Sequence, residues 1–540
     1  MTTEEDGDAP ETTQILFGEA ARAKMLVGMR MADQAVGSTL GPRGLTVLIA
    51  KNGSQTIATK DGVTVSRAII PIDPFERMGA ELIREAASRT NDIAGDGTTT
   101  ATILTHAMVA ESHRLMVAGS SPSLVRTGIE RAVSDVVVEL QGAARVMSTR
   151  DEIIHVGTIS ANGDKRIGEI VADAMARVGR DGIVTVEDAK GTVTSLDVVE
   201  GMRLDRGFLS PYFVTHKDKM HAAYDDAYVM LTDRKLTNLQ EIIGILEAVH
   251  KEKKPLLIVA DEIDGVALQT LIVNKVKSGL DVVAIRAPGF GSMRDAILQD
   301  IATLTGAKIA SASTGVAVDK LTRQDLGRCK RCVVDSKSTV IVGTGATAEQ
   351  VKKHAEELRD STVDPSLSDG ERHFIRDRIA KLTSGVAVIR VGGATELEMV
   401  ERKHRIEDAI NATRAAIEEG LVAGGGTALL KASQAVAARA QFPSDVHERA
   451  GYELVLRACE SPLKRIVANA GCVPELVVER VRAASEQSFG YDASTASYVD
   501  MFEAGIVDPV KVCRTAIVHA ASVACTFTGL SAAVFGSRRQ

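Results

Sequence analysis

The chain has 540 residues, a formal charge of −7, and 45% apolar against 25% charged residues. This is the composition of an ordinary globular protein, too long for one core, and about three to four domains are expected from length. Basic and acidic residues are interspersed and aromatics make up 3% with no Trp, which excludes nucleic acid as the main partner, because there is neither a basic field nor a stacking surface.

In chain order, the first residues, MTTEEDGDAPETT, are acidic and carry no signal-type segment, so they read as a disordered lead-in. Residues 17–40 show helical periodicity ended by Leu40-Gly41-Pro42. Leu45–Lys51 and Gln55–Thr59 are β-rich runs around Asn52-Gly53, a hairpin signal. Lys60-Asp61-Gly62 follows as a turn, with Asp61 on a loop, and helices continue to about residue 142. From 143 the texture changes, with short strands at Gly182–Glu187 and Leu196–Val199. An α/β stretch comes next: strand Leu256–Ala260, helix Asp264–Lys277, strand Asp281–Ile285 and a turn at Pro288–Gly291. Strands Ser338–Val342 and Val386–Val391 bracket a charged helical segment. Long helices return at 398–440, broken by Gly424-Gly425-Gly426. Ala516–Gly536 has the length of a membrane span, but it is rich in Ala, Ser and Thr and reads as a buried helix running into a strand. The order helical, mixed, α/β, mixed, helical predicts an α+β multidomain chain, with a helical domain built from both ends and an α/β domain inserted through a hinge.

The six cysteines fit reduced thiols in a cytoplasmic protein. Cys329-Lys-Arg-Cys332 has redox or half-zinc spacing, but no second pair follows and a strand does, so a structural role is favoured. Gly343–Ala348 (GTGATA) stands where a dinucleotide fingerprint would, yet no βαβ unit with an acidic ribose ligand completes it. GxxxxGK[ST], GxSxG and HExxH are all missing.

One stretch organises the rest: Asn91–Ala110, NDIAGDGTTTATILTHAMVA. A helix stops at Gly95-Asp96-Gly97 and a second opens on Thr98, Thr99 and Thr100. The glycines permit a sharp turn and close approach of a ligand. The threonines are placed to cap the next helix, whose N-terminus suits an anion. Asp96 could bridge a hard divalent cation to phosphate oxygens. These residues alone leave two readings open: a phosphate-and-metal site, or a tight helix–helix turn with an incidental Asp. Other glycine turns and acids are scattered along the chain: Gly41, Asp61, Asp408 and Gly424–Gly426. Phosphoryl transfer requires such carboxylates, but their convergence is not readable from sequence.

Longer matches point further. TLGPRG (39–44), KDGVTVSR (60–67), NDIAGDGTTTAT (91–102), VGTISAN (156–162), LDVVEGMRLDRGFLSPYF (196–213), APGFG (287–291), LQDIATLTG (298–306), ATRAAIEEGLVAGGG (412–426) and GIVDP (505–509) together resemble the group I chaperonins, the bacterial GroEL type of the 60 kDa chaperonin family, from about Phe17 to residue 526. The resemblance implies an equatorial ATP-binding domain (1–142 and 419–540), an intermediate hinge (143–199 and 387–418) and an apical substrate-binding domain (200–386). It implies a cytoplasmic, ATP-dependent chaperone that forms seven-membered rings, single or paired, encloses non-native polypeptides and works with a lid-type co-chaperonin, with no membrane or nucleic-acid partner. The alternative is a degenerate paralogue acting as a holdase or scaffold, which the joint retention of Asp61, Asp96 and Asp408 argues against.

Residue by residue, the resemblance places Thr39, Leu40, Gly41, Pro42 and Lys60 around the nucleotide, with a potassium ion near Thr39, Lys60 and Thr99. Asp96 would hold Mg²⁺, and Gly97, Thr98, Thr99 and Thr100 the phosphates. Asp61 and Asp408 would flank the γ-phosphate and activate water. Gly425 contacts the nucleotide, Asp508 holds the ribose, and Ile506 packs on the base. The family's adenine-side Asn–Ala–Ala is here Asp492, Ala493 and Ser494. The substrate surface would comprise Phe208, Tyr212, Phe213, Ile243, Leu246, Leu268, Ile272 and Val273, whose helical members share one face at such spacing. From the residues alone, core is the favoured reading of those faces. Two charge pairs, Asp164 with Arg405 and Arg206 with Glu396, are implied latches. At the ring–ring contact the family's Arg and Glu are Lys464 and Val473 here, and the chain ends AVFGSRRQ without a Gly-Met tail. The expectation is a heptamer whose ring pairing is weak or nucleotide-dependent. The hinge swing is expected to complete a site of which the Gly95–Thr100 turn is only half.

Overall fold

The computed structural model describes residues 12–537 apart from 51–55, 180–181, 190, 200, 218–219, 312–314, 344–347, 363–366, 384 and 440–441. The acidic lead-in up to residue 11, Asn52-Gly53, most of the GTGATA stretch and the last three residues therefore lie outside the described residues. The chain forms two compact units. The first comprises residues 1–172, 188–193 and 391–540, and the second 173–187 and 194–390. The segments expected to form a hinge are thus divided between them, with 143–172 and 391–418 belonging to the first.

The chain enters the first unit on strand Thr12–Phe17 and continues into α1 (Gly18–Gly37). Strands Val47–Ile49 and Ile57–Thr59 pair antiparallel, as the hairpin signal predicts. α2 (Gly62–Ala68) is capped by Asp61, and α3 (Pro74–Ala94) by Asp73 with Pro74 in its first turn. α4 (Thr98–Val117) and α5 (Pro122–Gly142) follow. α6 (Arg150–Ser160) opens on a Thr149/Glu152 capping box, and α7 (Lys165–Val178) leads to the second unit.

The second unit holds a seven-stranded mixed sheet. Strands Val282–Arg286, Leu256–Ala260 and Ala222–Thr232 run parallel, joined by α8 (Ile243–Lys251) and α9 (Gly265–Ser278), with α10 (Gly291–Thr305) after them. Strands Gly327–Val334, Thr339–Val342 and Gly201–Leu204 continue the sheet antiparallel. Leu256 to Ala260 are all fully buried, as a strand covered on both faces must be. Cys329 and Cys332 are buried free thiols in this sheet, the structural reading of that pair. Helices α11 (Ala348–Ser361) and α12 (Asp369–Thr383) precede a three-stranded sheet ordered Ile183–Asp188, Val386–Val391, Ser195–Val199.

The return path adds α13 (Glu396–Glu419), α14 (Thr427–Arg439), α15 (Val446–Ala458), α16 (Ser461–Asn469), α17 (Pro474–Ala483) and α18 (Val510–Thr528). α18 is long and apolar enough to cross a membrane. It lies instead in the core of the first unit, where Ile517 and Phe527 pack with Leu104 and Met108 of α4. Full burial of such side chains contributes about 1.5–3 kcal/mol each. α18 runs into strand Ala532–Ser537, which pairs antiparallel with Thr12–Phe17, so the chain's two ends are joined by a ladder that starts inside the expected lead-in.

Candidate nucleotide site

The turn between α3 and α4 is built on two left-handed glycines. Gly95 (φ 72°) caps α3, and Gly97 (φ 86°) is the N-cap of α4. A Cβ on Gly95 would lie 2.3 Å from Asn411 Cβ of α13, and one on Gly97 2.5 Å from Val512 of α18. Glycine is needed here for conformation and for packing alike. Thr98, Thr99 and Thr100 form the first turn of α4 and do not cap it: Gly97, which has no side chain to cap with, holds the cap position. That corrects the capping expected of the threonines, and it leaves an uncapped helix N-terminus facing the cleft.

Asp96 is held between the glycines. Its Oδ1 accepts the Gly97 N–H at 2.6 Å and its Oδ2 the Ser160 hydroxyl of α6 at 2.8 Å. Burial pushes its carboxyl above the ordinary range against those two hydrogen bonds, and the charge of Asp61 adds to the upward shift. Asp61 accepts from Val63 N, Thr64 N and Thr64 Oγ1 at 3.2, 2.9 and 2.6 Å, and its own N–H donates to Thr59 Oγ1. A Cβ on Gly62 would meet Thr99 Oγ1 at 2.6 Å, so the starts of α2 and α4 are in close contact. Asp508 sits on strand Val507–Pro509, paired with Leu421–Ala423. Burial, then the charge of Asp96, raises its pKa to about 7, although the Gly425 N–H opposes this.

The base-side segment has its own order. Asp492 accepts Ser494 N, Ser494 Oγ and Thr495 Oγ1 at 2.8, 2.6 and 2.7 Å. Burial pushes its carboxyl up, but those hydrogen bonds outweigh it and hold the group below its ordinary pKa. Ala493 is buried, and the Ser494 carbonyl accepts Arg43 Nη2 at 3.0 Å. Gly424 N donates to Ile506 O at 2.9 Å, which sets Gly425 beside Ile506.

Every residue expected around the nucleotide lines one cleft of about 990 Å³ within the first unit: Thr39 to Pro42, Lys60, Asp61, Asp96 to Thr100, Asp408, Gly425, Asp492 to Ser494, Ile506 and Asp508. The hinge-side helices already stand at this cleft. Ser160 bonds Asp96, Asn411 Nδ2 donates to Gly95 O at 3.5 Å, and Asp408 of α13 lines the wall. In this conformation the Gly95–Thr100 turn and the hinge-side residues thus line the same cleft. Ser160, Asn411 and Thr59 were not singled out in the sequence, although VGTISAN and ATRAAIEEG hold or adjoin the first two.

The donor set suits Mg²⁺ with a nucleotide. Among the described residues no three His, Cys, Asp or Glu side chains converge as a protein cage, and Mg²⁺ bound through phosphates requires only one or two carboxylates. Asp96, half-buried and raised in pKa, is the carboxylate whose charge such an ion would offset.

In the second unit the expected substrate residues separate. Tyr212, Ile243 and Val273 are exposed, and Phe208, Leu268 and Ile272 are half-buried against the core. Phe213 is fully buried and Leu246 is 8% exposed. These two belong to the core of the sheet and are removed from the expected surface. Exposed Val266 and Val276 extend the stripe of Val273 along α9. Of the two latch pairs, Arg405 Nη1 and Asp164 Oδ2 are 3.3 Å apart within the first unit, with Glu401 also on Arg405. Arg206 and Glu396 belong to different units.

Residues 33–532 match the TCP-1/cpn60 chaperonin family. The chain belongs to that family. Among solved structures, the chaperonin gp146 from the bacteriophage EL 2 (Pseudomonas aeruginosa), crystallised in the presence of ATP-BeFx, shares the fold with a TM-score of 0.67 at 23% identity, over 97% of this chain and 99% of that one. The α+β multidomain architecture is that of a 60 kDa chaperonin, and the protein is a chaperone.

Proposed function

We propose that this chaperonin hydrolyses ATP at the cleft and couples turnover to the capture and folding of non-native polypeptides. The observation that supports the reading best is the convergence of Asp61, Asp96 and Asp408 with the Thr39–Pro42 loop, the uncapped α4 N-terminus and the Gly424–Gly426 turn on one cavity. The α4 N-terminus would bind phosphate oxygens. Asp508 would accept from the ribose and Ile506 pack on the base. Mg²⁺ held by Asp96 would offset the charge that develops on the phosphates, and potassium would sit near Thr39, Lys60 and Thr99. Asp408 would orient water and accept its proton, with Asp61, fixed by its three hydrogen bonds, completing the acidic rim. Tyr212, Ile243, Val266, Val273 and Val276 would offer apolar surface to unfolded chains and to a lid-type co-chaperonin. The working unit in this proposal is a cytoplasmic heptamer, single or weakly paired.

ATP turnover of wild type and Asp408→Ala, with refolding of a denatured substrate followed in parallel, tests the proposal. The expected result is a fall in kcat of about 10²-fold or more in the variant and loss of refolding. Turnover that survives the substitution, or a wild type that holds substrate without refolding it, would move the assignment to a passive holdase.

A further inference from the structure

The Gly37–Pro42 loop is held from outside by one short helix, α16. Three of its side chains address the loop. A Cβ on Gly37 would lie 2.9 Å from Cζ and Nη1 of Arg465, and one on Gly41 would lie 3.1 Å from Ile466 Cγ2. Asn469 Nδ2 donates to Gly37 O and to Leu40 O, both at 2.9 Å. Carbonyls at the end of α1 have no partner within the helix, and Asn469 supplies one. α1 also has no basic residue in its last turn, so the guanidinium of Arg465 brings the cation that a helix C-terminus favours.

Arg465 is itself anchored. Its Nη2 is 2.5 Å from Oδ2 of Asp33, a carboxylate 2% exposed on α1. The same oxygen faces His106 Nδ1 of α4 at 3.2 Å. Asp33 thus connects the helix that leads into the loop, the helix whose N-terminus faces the cleft, and α16. At its other end α16 reaches the opposite wall: Leu463 N lies 2.6 Å from where a Cβ of Gly426 would be. None of Asp33, His106, Arg465 or Asn469 lines the cleft.

We propose that Asn469 and the Asp33–Arg465 pair are positioning residues for nucleotide binding, setting the Thr39–Pro42 backbone without touching the nucleotide. The inference rests on the ATP reading above. The hydrolytic aspartates sit elsewhere, Asp61 before α2 and Asp408 on α13, so displacing the loop weakens binding while leaving hydrolysis of the bound nucleotide intact. The signature is a rise in KM at nearly constant kcat.

The test uses the full chain, with ATP titrated in steady-state turnover and in equilibrium binding, beside thermal melts. Asn469→Ala is expected to raise KM and Kd by roughly tenfold with kcat within about twofold. Arg465→Lys keeps the charge but loses the planar fork, and is expected to raise KM by about threefold. Arg465→Lys also decides the matter where Asn469→Ala does not fold. An unmoved KM in variants that melt like wild type overturns the inference, as does a fall in kcat at constant KM. A wild type that neither binds nor hydrolyses ATP overturns the functional reading and this inference together. Wild-type turnover with unmoved variants overturns the inference alone.

Discussion

Asp508 shows how a carboxyl taken into a cleft wall can weaken the folded protein. Its carboxyl is raised from an ordinary 3.8 to about 7 by burial and by Asp96. A carboxyl raised on folding contributes stability that is fully present below its unfolded pKa, near 4, and lost as pH rises through 7. Above pH 7 the nucleotide-free protein therefore carries the Asp508 charge in a partly dry cleft, beside Asp96. A shift of that size corresponds to about 4 kcal/mol as an upper bound, and partial solvent access at the cleft reduces it to roughly 1–2 kcal/mol. Asp508→Asn removes the ionisation. Its melting temperature relative to wild type, without nucleotide, is expected to be more favourable at pH 8.5 than at pH 5.5, by an amount equivalent to about 1 kcal/mol. In the proposed site, where Asp508 would hold the ribose, the same substitution is expected to weaken ATP binding, because an NH2 group replaces one carboxylate oxygen. A stabilisation equal at both pH values would show that Asp508 does not titrate in this window.

At the scale of elements, α9 carries the clearest separation of faces. Ala267 and Leu271 are buried in the sheet's core, and Val266, Val273 and Val276 are 70%, 48% and 68% exposed. Exposed apolar side chains at spacings of 7 and 3 lie along one stripe of a helix, and their removal from water is available only through a partner. Val273→Ser is expected to leave the unfolding free energy within about 0.5 kcal/mol of wild type. It should weaken capture of a denatured substrate several-fold, read by suppression of aggregation or by co-sedimentation. Undiminished capture by the triple variant Val266→Ser, Val273→Ser, Val276→Ser would remove α9 from the substrate surface.

The same helix marks what a sequence can and cannot disclose. Its period, its Asp264 start and its place after strand Leu256–Ala260 were legible, because they follow from local pattern. The side on which each apolar residue lies was not. The resemblance made Phe213 and Leu246 surface anchors, whereas the residue pattern favoured core for the face that holds Leu246, and both lie in the sheet's core. Likewise the three-residue ladder between Leu421–Ala423 and Val507–Pro509 is too short to leave a period, although it brings Asp508 beside Gly425. The strand Thr12–Phe17 was lost beside an acidic segment, because its partner among the described residues, Ala532–Ser537, stands more than 500 residues further on. At the site, the glycine turns and the aspartates were readable, but Ser160 and Asn411, whose roles come from helices packed across the turn, were not.

For the whole molecule, the question left by the site is how one ring meets another. The positions that the family resemblance assigns to an inter-ring ion pair are Lys464 and Val473. Lys464 Nζ lies 2.8 Å from Oε2 of Glu460, the N-cap of its own helix, so its charge already has a partner, and Val473 is 56% exposed with no charge to offer. An exposed pair of this kind is worth only about 0.3–0.5 kcal/mol. Repeated around the proposed ring of seven, however, the loss of one such contact per subunit sums to about 2–3.5 kcal/mol, enough to change the occupancy of a double ring by roughly 30- to 400-fold. The expected particle is accordingly a single heptamer at low protein concentration, with pairing that depends on nucleotide. Val473→Glu should shift sedimentation towards the fourteen-subunit species, and the shift should shrink as salt rises, because exposed pairs are screened within about 8–10 Å at 0.1–0.15 M ionic strength. A wild type that sediments as a stable fourteen-subunit particle in every nucleotide state would instead assign ring pairing to other surfaces, and the apolar turn formed by Val473 and the exposed Leu476 would be the first of them to substitute.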